Sequence, residues 1–595
     1  MSNNEPIEPA RPRDFVLVGV YVTVLYAIVL AVGGPLTLHE GVLSQTTKAM
    51  LANHDWLVPR YGNAPWLERP PLPQWISCVI CALIGHCDQE WNIRIGPALA
   101  GILTTLLTVW LAGRLFGRAI GIVSGLMLAT MYNFLRYSTL AEADIFLAPI
   151  VATVLSAFAY IEILRPTRPD QSAESVNPVG GRPWSLLLFF VFLGMTNLVK
   201  GLVFGTVIAL APVGVFLLWN FRWRSIARYC WLWGWLAFFA IAMPWPLLVI
   251  QTNPDAVEVW KYDLFGRLNV ERIVDASVPE GYLAEPWWYY FQCLTWVTQP
   301  WSFLGFLGLG LTFKKAFKEG SAADRFIWCW AWMPILVFSV SAGKHHHYML
   351  HYLAPWAILA AQAAFWVRDV VAERWRTRWA VPLAIGIAGD VAFVFVARKL
   401  PPGPTWFLPA LLTAFPLLVA GVWWFGLERR RLVALAGTFA LTFAMYGAFF
   451  TYKGAYLHRS REDTAFLHEV RRVIPLDRPL MINSADEALE GLRMQFYIGD
   501  TVHFLHNLSY VRDDRINTAE VFVVTRYNRM PQLEKYGAVE PMLRCKQSRR
   551  ENDETDRWTL FRVRLRDDLE RKSAAVRITP MQAMYREWGP DLDKR

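Results

Sequence analysis

The sequence predicts a polytopic α-helical membrane protein of about thirteen spans, followed by a soluble α/β domain at its C-terminal end. Three observations carry this. Over 595 residues the chain is 54% apolar, with a mean hydropathy of +0.27, and only 18% charged, against about 25% in a soluble globular protein. Charge is concentrated at one end: residues 453–595 hold 26 Lys/Arg and 23 Asp/Glu of chain totals of 59 and 49. Apolar runs near the ~20 residues that cross a bilayer recur through the first 452 residues. One soluble domain, a disordered chain and a fibrous protein are excluded.

Residues 1–14 form a short polar N-terminus. Spans are expected to begin near Phe15, Gly96, Ala119, Ile145, Trp184, Gly201, Tyr229, Trp287, Phe326, Tyr348, Trp379, Thr405 and Leu432, which makes 15–452 a transmembrane domain. The run from Phe15 to Gly34 is long enough to span and lacks a small-residue cleavage site, so no cleavable signal is read there. A further apolar run, Leu72–Gly85, is short and starts among prolines; at that length an interfacial or re-entrant segment is expected rather than a span.

Basic residues set the orientation. Arg114 and Arg118, then Arg165 and Arg168, then Arg222, Arg224 and Arg228 fall in alternate loops, and Lys314, Lys315 and Lys318 continue the series. So do Arg368, Arg374, Arg376 and Arg378, and finally Arg429, Arg430 and Arg431. Cytoplasmic loops carry the Lys/Arg excess. The N-terminus is then cytoplasmic, loops 35–95 and 251–286 face outward, and 453–595 is extracytoplasmic, provided Leu72–Gly85 does not cross. The implied location is the cell's inner (plasma) membrane. The same rule accounts for the net charge of +10 without nucleic acid as a partner.

In the C-terminal region Asp463–Val473 and Ala485–Phe496 read as helices, and Pro479–Ile482 and Val521–Thr525 as strands. Arg557–Leu565 alternates with the period of a half-exposed strand. No glycine loop for a nucleotide and no fixed-period repeat is found. The 7 cysteines form neither a disulfide framework nor a zinc ribbon. Cys78 and Cys81 sit in an apolar run beside Cys87 without a second pair, and read as small buried hydrophobes.

Ionisable residues at the outer ends of spans are the informative ones, because charge at a membrane edge is costly and usually functional. His39 and Glu40 follow the first span. Glu68 and Arg69 precede Pro70-Pro71, and Glu142 and Asp144 lie where the third span turns into the fourth. Lys200 closes the fifth span, Glu285 stands before Pro286-Trp287-Trp288-Tyr289-Tyr290, and Lys344, His345, His346 and His347 end the ninth. Carboxylates can act as general bases on an acceptor hydroxyl, and Arg69, Lys200 and Lys344 can neutralise a phosphate. Singly, each reads equally as interfacial solvation; together they suit transfer from a lipid phosphate. The Trp287 run reads first as an interfacial belt. A divalent metal stays open, although consecutive histidines on a helix cannot all face one ion and no Asp-x-Asp lies in the first outer loop. Asp390, alone in the eleventh span, reads as a packing carboxyl.

These residues resemble a known family. His54-Asp55-Trp56-Leu57-Val58-Pro59-Arg60, followed by Pro65-Trp66-Leu67-Glu68-Arg69-Pro70-Pro71-Leu72-Pro73-Gln74-Trp75, is similar to the first outer loop of the aminoarabinose and protein-mannosyl transferases. Arg114–Arg118, Asn197–Gly201, Glu285–Tyr290 and Ser339–Tyr348 fall in the family's order. The resemblance implies a GT-C fold glycosyltransferase that takes a polyprenyl-phosphate sugar as donor and a glycan, lipid or protein as acceptor. It places Arg69, Lys200 and Lys344 near the lipid phosphate. Glu40, Asp144 and His39 become the catalytic candidates, and Glu68, Glu142, Glu285, Trp287, His345 and His346 the substrate cavity. The family's Asp-Glu after the first span is His39-Glu40 here, and its Glu-Lys before the prolines is Glu68-Arg69. The histidine leaves a divergent mechanism or a loss of activity open. A transporter of lipid-linked intermediates is the reading from another class, but mid-membrane charge and inverted repeats are lacking in the sequence.

Overall fold

The computed structural model describes residues 8–164, 183–267, 285–340, 344–373, 418–419, 431–456 and 460–567, short breaks within these stretches excepted. The spans expected near Trp379 and Thr405, Asp390, and most of the second outer loop lie outside the described residues. The chain divides into two compact units. One comprises Met1–Val32, Pro97–Leu248 and Ala284–Leu457; the other comprises Gly33–Gly96, Val249–Leu283 and His458–Arg595.

The first unit is helical and of membrane type. Counting the N-terminal turns of Glu90–Phe116 with it, six helices among the described residues are long and apolar enough to cross a bilayer: Pro12–Ala31, Glu90–Phe116, Ala143–Leu164, Leu232–Thr252, Ala322–Val340 and His346–Val370. A seventh candidate is bent by 67° between Arg118–Ala129 and Tyr132–Ser138. Trp184–Lys200, Phe204–Trp219 and Ala436–Thr451 are apolar but shorter. The run expected near Trp287 folds as two helices, Tyr289–Val297 and Ser302–Phe317. Among the described residues, breaks inside apolar runs shorten the remaining apolar helices below the length of a full span.

Such a break is tolerable at membrane depth only if the freed backbone groups find partners. At the bend after Ala129 they do. Tyr446 donates its hydroxyl to the Thr130 carbonyl at 2.8 Å, the Tyr132 N–H reaches the Gln299 carbonyl at 2.8 Å, and Trp301 Nε1 donates to Thr130 Oγ1 at 2.9 Å. Three of the arginines used above as orientation markers, Arg118, Arg222 and Arg228, are also paired. Arg118 grips Asp14 through Nε and an Nη atom, both at 2.6 Å. Glu162, in a π turn, accepts from Arg222 at 3.0 Å, Arg228 at 2.6 Å and Tyr229 at 3.2 Å.

The second unit joins the loop before Gly96 to the C-terminal region. Its first part holds helix Glu40–Asn53, the hairpin of strands β1 (Arg60–Tyr61) and β2 (Ala64–Pro65), and helix Leu72–Ile84. Leu72–Ile84 is 13 residues long and leaves Val79 and Leu83 exposed. Its C-terminal part holds helices Ser460–Val473 and Ala488–Ile498 and a five-stranded sheet. The strands are β3 (Leu480–Asn483), β4 (Val502–Leu505), β5 (Glu520–Arg526), β6 (Gly537–Ser548) and β7 (Arg557–Leu565), in the order β4-β3-β5-β7-β6. β3 runs parallel to β4 and β5, whereas β7 is antiparallel to β5 and β6. Met481, Val521, Val523, Phe561 and Val563 build its core.

The two parts of this unit pack directly. Helix Glu40–Asn53 lies against Ala488–Ile498, where Lys48 donates to the Phe496 carbonyl at 3.1 Å. The Tyr497 hydroxyl accepts from the Leu36 N–H at 2.8 Å and donates to Glu90 at 2.9 Å. The cysteine reading needs one correction. Cys78, Cys81, Cys293, Cys329 and Cys545 are buried, but Cys87 is half-buried, Cys230 is exposed, and Cys81 meets Cys87.

Candidate functional site

In the first unit, three chain breaks bring polar groups together. Asp144 sits in the 3₁₀ turn Ala143–Phe146 that opens a long apolar helix. Lys200 is the last residue of helix Pro183–Lys200, which ends as Gly201 turns to φ +84°. His346–Tyr352 form a second 3₁₀ turn ahead of helix Leu353–Glu373. Lys200 is ion-paired with Asp144, with side chains 11% and 15% exposed. Its ammonium also lies 4.9 Å from the centre of the Tyr348 ring, a cation–π contact. His347 Nε2 faces the other Asp144 oxygen at 3.6 Å, too long for a hydrogen bond and a charge pair only when the ring is protonated.

The other histidines face different partners. The His345 ring stacks on His347 with centroids 5.1 Å apart. His346 Nε2 is 3.1 Å from the Tyr137 hydroxyl, and its ring lies 5.0 Å from Trp296. Among the described residues no set of three His, Cys, Asp or Glu side chains converges with metal-ligand spacing. Lys344 is buried and donates to the Glu285 carbonyl at 2.9 Å. Burial lowers its pKa below the usual lysine value, opposed by the Glu285 carboxylate.

The second unit holds the remaining candidates. Glu40 is fully buried, and Arg94 binds it with Nε at 2.7 Å and an Nη atom at 3.0 Å. The Thr37 N–H donates to the same carboxylate at 2.8 Å. Arg94 also donates to the Gly34 and Pro35 carbonyls at 2.9 and 3.3 Å, so one guanidinium ties the end of the first loop segment to the start of helix Glu90–Phe116. His39, next to Glu40, is exposed at the helix start. Glu68 and Arg69 are half-buried just before Pro70-Pro71, and Trp260 Nε1 anchors the adjoining Leu67 carbonyl at 2.7 Å.

The residues proposed from sequence therefore fall into two groups. Asp144, Lys200, His345 and His346 gather with Glu142 around chain breaks of the first unit, which also holds the Lys344–Glu285 contact, while His39, Glu40, Glu68 and Arg69 belong to the second. Trp287 is 68% exposed and meets Phe291 edge-on. Two functional candidates escape the sequence reading, Tyr137 and Arg94; His347 stands there among the outer-end residues without an assigned role. Arg94 carried a signal, since an arginine in the first turns of a spanning helix is expensive and demands a partner.

Residues 68–168 match the family described as dolichyl-phosphate-mannose-protein mannosyltransferase. The chain is 29% identical over 362 residues to the undecaprenyl phosphate-alpha-4-amino-4-deoxy-L-arabinose arabinosyl transferase of Edwardsiella ictaluri, covering 59% of this chain and 60% of that protein. It is 26% identical over 401 residues to the transferase of the same description from Pseudomonas savastanoi, covering 66% and 69%. The match thus spans about 60% of the Edwardsiella relative's length. The crystal structure of ArnT from Cupriavidus metallidurans bound to undecaprenyl phosphate aligns with a TM-score of 0.72 at 17% identity, over 92% of this chain and 97% of that one. The chain has the GT-C fold. The apo oligosaccharyltransferase of Archaeoglobus fulgidus shares this GT-C architecture more loosely, with a TM-score of 0.51 at 13% identity over 87% of this chain and 69% of that one. The family match starts at Glu68 and takes in Arg69, Glu142 and Asp144.

Proposed function

We propose that this chain is an integral membrane glycosyltransferase that moves a sugar from a polyprenyl-phosphate donor to a hydroxyl or phosphate acceptor on the outer face of the membrane. The observation that carries the reading is the Lys200–Asp144 ion pair, in the same helical unit as buried Lys344. It occurs in a chain whose relatives are named as undecaprenyl-phosphate sugar transferases. In the reaction the bond from the anomeric carbon to the phosphate oxygen breaks as the bond to the acceptor oxygen forms. Lys200 and Lys344 neutralise the departing phosphate, and Arg69, in the second unit, is a phosphate candidate by its place before the two prolines alone. Asp144 takes the acceptor's proton. The donor phosphate competes for Lys200 and releases the carboxylate oxygen that Lys200 occupies in its absence, so donor binding unmasks the base. His347, facing the second oxygen, steadies Asp144.

Glu40, the first candidate base by sequence, becomes a positioning residue, because its oxygens are committed to Arg94 and the Thr37 N–H. The finer topology belongs to the same proposal: thirteen spans, a cytoplasmic N-terminus and an extracytoplasmic C-terminal domain. Acceptors are a glycan, a lipid or a protein. A second reading rests on His39, which stands where the similar family keeps an aspartate: a relative that binds the lipid carrier but turns over poorly. Membranes carrying the chain, incubated with labelled polyprenyl-phosphate sugars, decide between the two. Label transferred to an acceptor, and lost in Asp144→Asn, supports the enzyme. Donor bound without transfer from any sugar supports the impaired relative.

A further inference from the structure

We propose that Cys81 and Cys87 are a modification site, joined in the mature protein as a disulfide that closes the C-terminal end of helix Leu72–Ile84 onto the segment before helix Glu90–Phe116. The proposal rests on the outward orientation of loop 35–95 given above. Local structure brings the pair together. The helix ends at Gly85, whose φ of +92° is the left-handed cap conformation that favours glycine, and its N–H returns to the Cys81 carbonyl at 2.9 Å. The chain therefore doubles back over its own last turn and delivers Cys87 to Cys81, with the two Sγ atoms 2.7 Å apart. That separation is within 1 Å of the ~2.05 Å of a disulfide bond.

The neighbourhood holds that arrangement. Asn92 donates to the His86 carbonyl at 3.1 Å and lies 2.6 Å from His86 Nδ1, which fixes the residue before Cys87. Cys78, one turn earlier on the helix, is directed elsewhere, with its Sγ 3.6 Å from the Thr47 carbonyl. Three cysteines within ten positions thus separate into one pair and one apolar packing residue.

Disulfides form and persist in extracytoplasmic compartments and are rare in the cytosol. The oxidant is a dithiol–disulfide oxidase of that compartment. Cys87, the more accessible thiol, attacks the oxidase disulfide and forms a mixed disulfide, releasing one oxidase thiol. Cys81 then attacks the Cys87 sulfur and releases the second. Two protein thiols lose two electrons and two protons, and the oxidase disulfide is reduced to a dithiol. The product clamps the helix whose other end follows directly on Glu68-Arg69-Pro70-Pro71.

The test uses the full chain, harvested into N-ethylmaleimide without reductant, denatured and mapped by peptide mass. The expected result is label on Cys78, none on Cys81 or Cys87 until reduction, and a Cys78–Cys87 peptide two hydrogens lighter than its dithiol form. Cys87→Ser should expose Cys81 to label, while Cys78→Ser leaves the pair intact. Label on both Cys81 and Cys87 in unreduced protein overturns the cross-link. A membrane-impermeant maleimide applied to intact cells carrying Asp88→Cys, with Cys81→Ser and Cys87→Ser, identifies which premise failed. Labelling there places the loop outside and leaves only the cross-link wrong. Labelling only after lysis overturns the orientation, and the cross-link with it.

Discussion

Arg94 holds Glu40 through both carboxylate oxygens, at 2.7 and 3.0 Å, with the two side chains 4% and 0% exposed. A buried pair is weak evidence of stability by itself, but removing one partner strands a charge and costs about 3–5 kcal/mol. Arg94→Ala is therefore expected to lower the melting temperature steeply in detergent. A paired apolar replacement, Arg94→Met with Glu40→Met, should recover much of the loss. In folded Glu40→Gln protein, turnover should stay within roughly tenfold of wild type, since base catalysis, worth about 10²–10⁴-fold, is assigned elsewhere. A loss of a thousandfold at unchanged stability would return the base to Glu40.

That assignment marks where sequence reasoning stopped. The outer-end charges were legible because membrane-edge charge is costly, and the order of Glu68-Arg69, Asp144, Lys200 and Lys344 along the chain was readable. Their pairing was not, because Lys200 and Asp144 meet only through the packing of elements distant in sequence. Glu40 and Asp144 looked alike as isolated carboxylates. What separates them is Arg94, hidden at the start of an apolar helix. Strands β4 and β6 were also missed. β4 has four residues, and β6 carries Pro541 among charged residues, a composition tolerated because β6 is a sheet edge.

Lys200 and Asp144 should divide the kinetics between them. Lys200→Ala is expected to raise the donor KM and lower turnover, because a phosphate partner is lost. Asp144→Asn frees Lys200 for the phosphate, so donor affinity should hold or tighten while kcat falls at least about a hundredfold. Parallel losses of donor binding in both variants would show that the pair acts only as a structural tie.

Lys344 gives the pH dependence its sign. Burial lowers its pKa, so its positive charge is lost at a lower pH than an ordinary lysine's. Donor affinity should then decline as pH rises through that lowered value, ahead of the usual lysine range near 10.4. Lys344→Arg, with a guanidinium that stays charged, should remove the alkaline decline. Steady-state KM for the donor against pH measures this, and identical profiles would remove Lys344 from the phosphate site.

The orientation is checked by a reporter fused after Tyr452. Because the basic loops alternate only for an inward N-terminus and thirteen crossings, the reporter should be active only outside the cytoplasm. Cytoplasmic activity would mean an even number of crossings before that point, with Leu72–Gly85 the first segment to suspect.

Gly41 decides whether the loop and the C-terminal domain keep their packing. A Cβ added there would lie 2.9 Å from the backbone nitrogen of Arg493 and 3.1 Å from its Cα. Backbone, unlike the end of a flexible side chain, yields little. Two effects compete in Gly41→Ala. Helix propensity favours alanine by about 1 kcal/mol, whereas forcing extra volume into a closed contact costs roughly 1–3 kcal/mol. The clash should win, with a lowered melting temperature and faster proteolysis of the C-terminal region. Gly447, in helix Arg431–Tyr456, has nothing within 4 Å of the same built atom. Gly447→Ala should therefore gain the propensity without the clash, and its melting temperature should stay level or rise. If both variants melt alike, the approach of helix Glu40–Asn53 to Ala488–Ile498 is looser than these distances require, and the glycine is dispensable.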